Sequence, residues 1–473
     1  MKFIWNQEKK NKVFFLFEEK LDICDSKIRK FFEENKIFSG KKDEIFDNLY
    51  NEQPAIYVGL GKEEELSIQV LRKQGKKLGT LLKKYKLDEV ELLISSTSFP
   101  ISQEAVLEGL VEGLLQSNYT FDRYKEKKEE PWDIEISIQG QESKKSRKVI
   151  DEISTLMEGV FLTRDLVNIP AMDMYPEVFG EKIDEVLTPL GVQVTILDKQ
   201  QIADLKMEAF LSVAEGSDRD PRFILMEYKP VANEAPIALV GKGIMYDSGG
   251  YAIKPPRSMV TMKTDMAGAA TVVGTIYALA KNKIQKNVIG VVAACENMIS
   301  GRAYKNGDIV GSMKGLTIEI GNTDAEGRVT LADSLYYAAT KTGAKKIIDL
   351  ATLTGAAVVA VGEYTTALMT NDEEFCQVVK DSAEEAGEYV WELKANEELR
   401  DSVKGDFGDI NNIGGGSGGS ITAGIFLEHF VEELPWVHMD IAGPVYSKKA
   451  YSYLPKGATG IPVKTLYRTI LNS

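Results

Sequence analysis

One acidic heptad, Asn322-Thr-Asp-Ala-Glu-Gly-Arg328, constrains this chain more than any other feature. Before it, Leu316-Thr-Ile-Glu-Ile320 alternates apolar and polar residues, as a half-buried strand does. After it, residues 330–339 carry apolar side chains at helical spacing. The heptad therefore falls at a strand-to-helix turn, the edge at which open α/β sheets carry their functional groups. Asp324 and Glu326, two residues apart on such a turn, can face one point. Asp247 and Asp265 lie upstream with Lys242 and Lys254, in Lys242-Gly-Ile-Met-Tyr-Asp247-Ser-Gly-Gly-Tyr-Ala-Ile-Lys254 and Met262-Lys-Thr-Asp265-Met266. Together these segments point to a two-metal hydrolase.

The surrounding pattern predicts an α/β fold of two domains. From about residue 170 onward, strand-type runs at 192–196, 237–240, 288–294 and 346–350 alternate with helical runs at 266–281 and 330–342. Such alternation implies a mixed, mostly parallel central sheet covered by helices. Residues 1–142 read as a small N-terminal α/β domain, with strands at 55–59 and 90–94 and helices at 66–86 and 102–116. The charged face of the second helix reads as solvated surface. Residues 143–170 read as a linker helix that Pro170 stops, and 171–473 as the larger domain that holds the acids. Gly414-Gly-Gly-Ser-Gly-Gly419 reads as a flexible loop.

Composition removes several classes of function. Residues 1–150 hold 27 basic and 27 acidic side chains, so the whole net charge of −14 lies in the part with the motifs. Phosphate contacts need a cationic surface, which argues against nucleic acid as a partner. The apolar run Val13-Phe-Phe-Leu-Phe17 is too short for a signal peptide or a bilayer span. Cys24, Cys295 and Cys376 are far apart and form no CxxC pair, so buried inert thiols in a cytoplasmic protein are expected. Ser248 and Ser417 sit in serine-hydrolase-like contexts, but His429 lies in a helix-like run and His438 in an apolar strand-like one. Either serine would need such a base placed by the fold, so a serine hydrolase is not expected.

The chemistry of the acids and lysines is specific. Asp247, Asp265, Asp324 and Glu326 supply hard oxygen donors, and a pair of cations about 3.5–4 Å apart needs bridging and terminal carboxylates. With two histidines in the chain and no HExxH, a histidine-built zinc site is nearly excluded. The lysines have a plain reading as charge balance. A functional reading also exists: a neutral amine can ligate a metal, and a charged one can stabilise an oxyanion.

These residues carry a resemblance to a known family. Val240-Gly-Lys-Gly-Ile-Met-Tyr-Asp-Ser-Gly-Gly250, Asp265-Met-Ala-Gly-Ala-Ala270 and Asn322-Thr-Asp-Ala-Glu-Gly-Arg-Val-Thr-Leu-Ala-Asp333 resemble the cytosolic leucyl aminopeptidases, the M17 metallopeptidases. Arg164-Asp-Leu-Val-Asn-Ile-Pro170, Cys295-Glu-Asn-Met-Ile-Ser-Gly-Arg-Ala-Tyr304, Asp349-Leu-Ala-Thr-Leu-Thr-Gly355 and Asp440-Ile-Ala-Gly-Pro444 extend it. Tyr246, Thr264, Ala267 and Gly321 depart from the common pattern, and none is a ligand.

The resemblance implies a metal-dependent aminopeptidase that releases bulky apolar, Leu- or Met-like N-terminal residues through a water activated by two metals. Asp247 and Glu326 would bridge two divalent ions, Mn²⁺ or Zn²⁺. Lys242 and Asp265 would complete the tighter site, and Asp324 the exchangeable one. Lys254 would bind the substrate carbonyl, and Arg328 would hold a bicarbonate ion as general base. Met262, Asn322, Thr352, Ala442 and Val445 would line the first side-chain pocket. A cytoplasmic homohexamer acting on peptides is implied, with no membrane partner. A DNA-binding regulatory role, which some members of that family add, is the competing reading.

Overall fold

The computed structural model describes residues 1–22 and 24–473. The chain divides into two compact units, Met1–Met157 with Ala450–Leu454, and Glu158–Lys449 with Pro455–Ser473. The division falls inside one long helix, Lys144–Asn168.

The first unit is built on six strands: β1 (Lys2–Trp5), β2 (Lys12–Phe17), β3 (Ile45–Asn48), β4 (Ala55–Gly61), β5 (Glu89–Leu92) and β6 (Glu135–Ile138). They run in the order β1-β6-β5-β2-β4-β3, and only β3 is antiparallel to its neighbour. The apolar run at 13–17 is thus the inner part of β2, with Val13, Phe15, Leu16 and Phe17 buried. The two expected helices are Ile68–Lys84 and Gln103–Ser117, started by Ser67 and Ser102, whose hydroxyls accept from Val70 and Ala105 N–H. One expectation fails. Glu112, on the face read as solvated, is 1% exposed and pairs with the equally buried Arg72. The two helices pack face to face, and a guanidinium buried between them requires a carboxylate partner.

The second unit holds β7 (Gln193–Leu197), β8 (Arg222–Tyr228), β9 (Ile237–Asp247), β10 (Val288–Asn297), β13 (Lys346–Ala351), β14 (Thr365–Thr370), β15 (Tyr389–Glu392) and β17 (Trp436–Asp440) in one sheet. The small strands β11 (Ile309–Val310), β12 (Ile318–Glu319) and β16 (Ile410–Asn411) form a separate three-stranded sheet. The large sheet runs β15-β14-β17-β13-β9-β10-β8-β7. Its four central strands, β17, β13, β9 and β10, are mutually parallel, and antiparallel pairs lie toward both edges. Central parallel strands covered on both faces read as near-continuous apolar runs, which is how β10 and β13 look.

Two elements differ from the sequence pattern. The expected strand at 316–320 shortens to Ile318–Glu319. The following helix starts earlier, as Glu326–Lys341, so Glu326 and Arg328 lie in its first turn. An acidic side chain there complements the helix dipole. Among the described residues, no helix is long and apolar enough to cross a membrane.

The helix Ala267–Lys281 packs its N-terminal turn directly onto the sheet. A Cβ added at Gly268 would lie 2.1 Å from the Leu350 carbonyl oxygen and 2.9 Å from Lys242 N. Both are backbone atoms that cannot step aside. Gly268→Ala is therefore expected to cost about 1–3 kcal/mol of stability, measured by urea unfolding.

Candidate active site

The C-terminal ends of the central strands gather the acids and lysines. Lys242 sits in the interior of β9 and is 3% exposed. Its Nζ lies 2.7 Å from Asp265 Oδ2 and 2.9 Å from Glu326 Oε1, and donates to the Thr352 carbonyl at 3.0 Å. Asp265 arrives on the 3₁₀ turn Met262–Met266, and Thr352 Oγ1 donates to its Oδ1 at 2.7 Å. Asp247 ends β9. Its Oδ1 accepts from Gly249 N–H and from Asn297 Nδ2, both at 2.8 Å. Lys254 Nζ spans Asp247 Oδ2 at 2.8 Å and Asp324 Oδ1 at 2.6 Å.

Carboxylate oxygens of Asp247, Asp265 and Glu326 all lie within 4.8 Å of one another. Asp324 stands outside that trio, more exposed, and joins it through Lys254. Arg328 is buried, and its Nη1 donates to the Asn412 carbonyl at 2.8 Å. The residues read as pocket lining are distributed around this centre. Thr352 touches Asp265, and Asn322 is held by Asn412, whose Nδ2 donates to its carbonyl at 2.8 Å. Ala442 and Val445 follow β17, where Asp440 Oδ1 accepts from both Leu353 and Ala442 N–H at 3.2 Å. Met262 opens the turn that carries Asp265.

Burial and like charge govern the electrostatics. Burial, reinforced by Asp247, raises Asp265 and Glu326 above the usual carboxylate range against the pull of Lys242. Burial opposes the charge on Lys242, yet Asp265, Glu326 and Asp247 outweigh it and its pKa rises. Lys254 rises for the same reason, with Asp247 as its main partner. Burial pulls Arg328 down to about 10.

The donor set fits divalent cations. Glu326 Oε2 is buried with no hydrogen-bond donor. Four carboxylates face two ammoniums, and a cation would meet both the open lone pairs and the excess charge. Lys242 is an ion-paired ammonium in this arrangement, so its neutral, ligating form would require adjacent dications.

Several residues that support the site had no assigned role in the sequence. Asn297, Tyr304, Thr323, Asn412 and Asp440 fix its loops by hydrogen bonds to backbone or carboxylate. Asn297, Tyr304, Thr323 and Asp440 lie inside the quoted motifs without a role of their own there, and Asn412 lies outside them. The serine contexts carry no triad. Ser248 donates to the Asn297 carbonyl, His429 caps the helix Gly419–Glu428, and His438 Nδ1 is 2.7 Å from Asp349 on the neighbouring strand. The three cysteines are buried and unpaired, and burial pushes Cys24 and Cys376 up to about 11.

Hard oxygen donors and buried lysines at the carboxyl edge of a parallel sheet define a metal-dependent hydrolase. Comparison with known proteins narrows the class. The model of the cytosol aminopeptidase family catalytic domain matches residues 161–467, and that of its N-terminal domain matches 4–128. A probable cytosol aminopeptidase of Treponema denticola is 47% identical over 96% of this chain and 95% of its own. One of Clostridium tetani is 44% identical over 99% and 98%. Among solved structures, a mutant of tomato leucine aminopeptidase aligns with a TM-score of 0.89 at 31% identity, covering 100% of this chain and 97% of that one. The bottromycin maturation enzyme BotP in complex with Mn aligns at 0.89 and 28%, covering 98% and 100%. The chain belongs to the cytosol aminopeptidase family, M17, and is a metalloexopeptidase of two α/β domains.

Gly327 shows how closely the site is fitted. A Cβ there would lie 2.4 Å from Lys242 Cε and 2.6 Å from its Nζ. Because Lys242 is buried and ion-paired, Gly327→Ala should push its ammonium off Asp265 and Glu326 and cost stability as well as bound metal. The expected result is reduced bound metal, read by atomic absorption, together with a lowered melting temperature.

Proposed function

We propose that this protein removes N-terminal residues, preferably bulky apolar ones of Leu or Met type, from peptides with the help of two divalent cations. The observation that carries this reading is the convergence of Asp247, Asp265 and Glu326 within 4.8 Å around an unmet Glu326 oxygen. On this reading Asp247 and Glu326 would serve both cations, Lys242 and Asp265 one of them and Asp324 the other. Mn²⁺ and Zn²⁺ both suit such a set. When bound, the cations supply Lewis acidity toward the peptide carbonyl and acidify water.

The chain's own groups do the rest. Asp265 offers an acceptor to the substrate's free α-amine, which selects exopeptidase substrates. Lys254 remains an ammonium between Asp247 and Asp324 and stabilises the negative charge that develops on the carbonyl oxygen. Arg328 keeps a buried Nε with no acceptor, which suits a small anion such as bicarbonate, a source of general-base chemistry. Met262, Asn322, Thr352, Ala442 and Val445 form the first side-chain pocket on this reading. Apolar pockets discriminate weakly, by about 1–3 kcal/mol per methylene.

Location in the cytoplasm accords with relatives named cytosol aminopeptidases. A homohexamer accords with large apolar side chains left in solvent, such as Tyr389 (70% exposed), Trp391 (66%) and Phe407 (91%). Sedimentation velocity should give a single species of six chains; a monomer would refute the assembly.

The decisive experiment compares Leu-p-nitroanilide with its N-acetylated form, with Mn²⁺ and after EDTA. Metal-dependent cleavage of the free-amine substrate alone is expected. Undiminished cleavage by metal-free protein would end the mechanism. Lys254→Ala should lower kcat by about 100-fold or more, as loss of an oxyanion donor does, while metal content is kept.

A further inference from the structure

Side chains alternate across a strand, so Lys242 and Asp247, five positions apart, should point to opposite faces of β9. They converge instead on one cluster, because the ladder is irregular there. Pairing with β10 steps from Cys295 opposite Ile244 to Asn297 opposite Asp247, so three residues of β9 answer two of β10. Such a bulge re-aims a side chain and leaves the ladder locally disrupted. Asn297 bonds across this point. Its carbonyl accepts from Ser248 N–H at 3.0 Å and from Ser248 Oγ at 2.7 Å.

The side chain of Asn297 is fully buried, at 0% exposure. One amide hydrogen goes to Asp247 Oδ1 at 2.8 Å, and the other to the Thr323 carbonyl at 3.0 Å. Both partners only accept, so the nitrogen, not the oxygen, must face them. The amide oxygen then faces away and finds no donor. Buried acceptors without donors are rare, and a side chain placed for packing alone would not leave one. Thr323 continues the brace: its hydroxyl donates to the Gly249 carbonyl and accepts from Ala252 N–H, both at 2.8 Å. A Cβ at Gly250, where φ is +61°, would lie 3.0 Å from Thr323 Cβ and 3.1 Å from Asn297 Oδ1. The turn after Asp247 is pressed against both residues.

We propose that Asn297 is a positioning residue that sets the separation of the two halves of the metal centre. It ties Asp247, on the bulged strand, to the loop that carries Asp324 and Glu326. It acts through the groups its amide holds, Asp247 Oδ1 and the Thr323 carbonyl. Without its two donations, Asp247 would follow β9 and the 322–328 segment would follow its own helix. The cations would then lose a fixed spacing, and the reacting groups their alignment. The inference rests on the two-cation reading of the site.

The test titrates metal-free, full-length protein with MnCl₂ by calorimetry and records the melting temperature of the metal-free form. Wild type is compared with Asn297→Leu, a side chain of similar size that donates nothing. Loss of an outer hydrogen-bond partner should weaken Mn²⁺ binding by about 10–100-fold. At saturating Mn²⁺, kcat for Leu-p-nitroanilide should fall more than KM changes. The metal-free melting temperature should move by less than about 4 °C. Unchanged Mn²⁺ affinity in the variant would overturn the inference, as would a loss of affinity accompanied, in a variant that still folds, by a larger fall in the metal-free melting temperature. If Asn297→Leu does not fold, Asn297→Ala, which cannot overpack, decides by the same two readouts. Wild-type protein that takes up no Mn²⁺ would overturn the metal-centre reading and this inference with it. Wild type that binds while the variant matches it overturns this inference alone.

Discussion

Lys242 places an ammonium inside a central strand, and much of the catalytic unit is arranged to keep it there. A buried charge is costly unless it is paired and hydrogen-bonded. Asp265, Glu326 and the Thr352 carbonyl are its partners, and each comes from a different element. To bring Asp265 within 2.7 Å, the helix after it must meet the sheet backbone to backbone at Gly268. To bring Glu326 within 2.9 Å, the helix Glu326–Lys341 must begin at that residue, with Gly327 leaving room for the lysine stem. The thin side chains of this region are consequences of one buried amine.

The same pairing explains why the site is poised for cations. Two ammoniums cannot neutralise four carboxylates, and burial penalises the surplus, so Asp265, Asp324 and Glu326 all rise. On the proposed reading the lysines hold the cluster together until dications arrive. With dications bound, Lys242 would serve as a neutral ligand, while Lys254 would keep its proton and face the substrate. Depth separates the two lysines: Lys242 is 3% exposed and Lys254 15%.

What the sequence revealed follows from how local each signal is. The heptad, the upstream acids and the α/β alternation were legible because each is a short pattern with a physical period. The strand β9 was not, beyond Val240. Gly241 and Gly243 interrupt its apolar run, although β10 pairs with it as far as Asp247. Glu112 looked solvated because helical spacing alone cannot show that Arg72, 40 positions earlier, lies buried against it. Asn297 was silent for a related reason. Its importance arises from a bulge between two strands, and a bulge is a property of a pair.

The structure also separates acids met by rigid donors from acids met by lysine ammoniums. Asp333 accepts from Phe210 and Met313 N–H, and Asp440 from Leu353, Thr354 and Ala442 N–H and the Thr354 hydroxyl. Asp349 is fixed by His438 and the Trp436 indole. These donors sit on rigid backbone or on packed rings, and no cation could displace them without breaking the fold. Glu326 and Asp324, by contrast, are met by lysine ammoniums, and Asp265 by an ammonium and one hydroxyl. A lysine stem is long and rotatable, so its charge can withdraw or deprotonate while the backbone stays in place. Asp247 is the intermediate case. One oxygen is locked by Gly249 N–H and Asn297, and the other faces Lys254. A carboxylate with one fixed and one exchangeable oxygen can hold its place while what it binds changes.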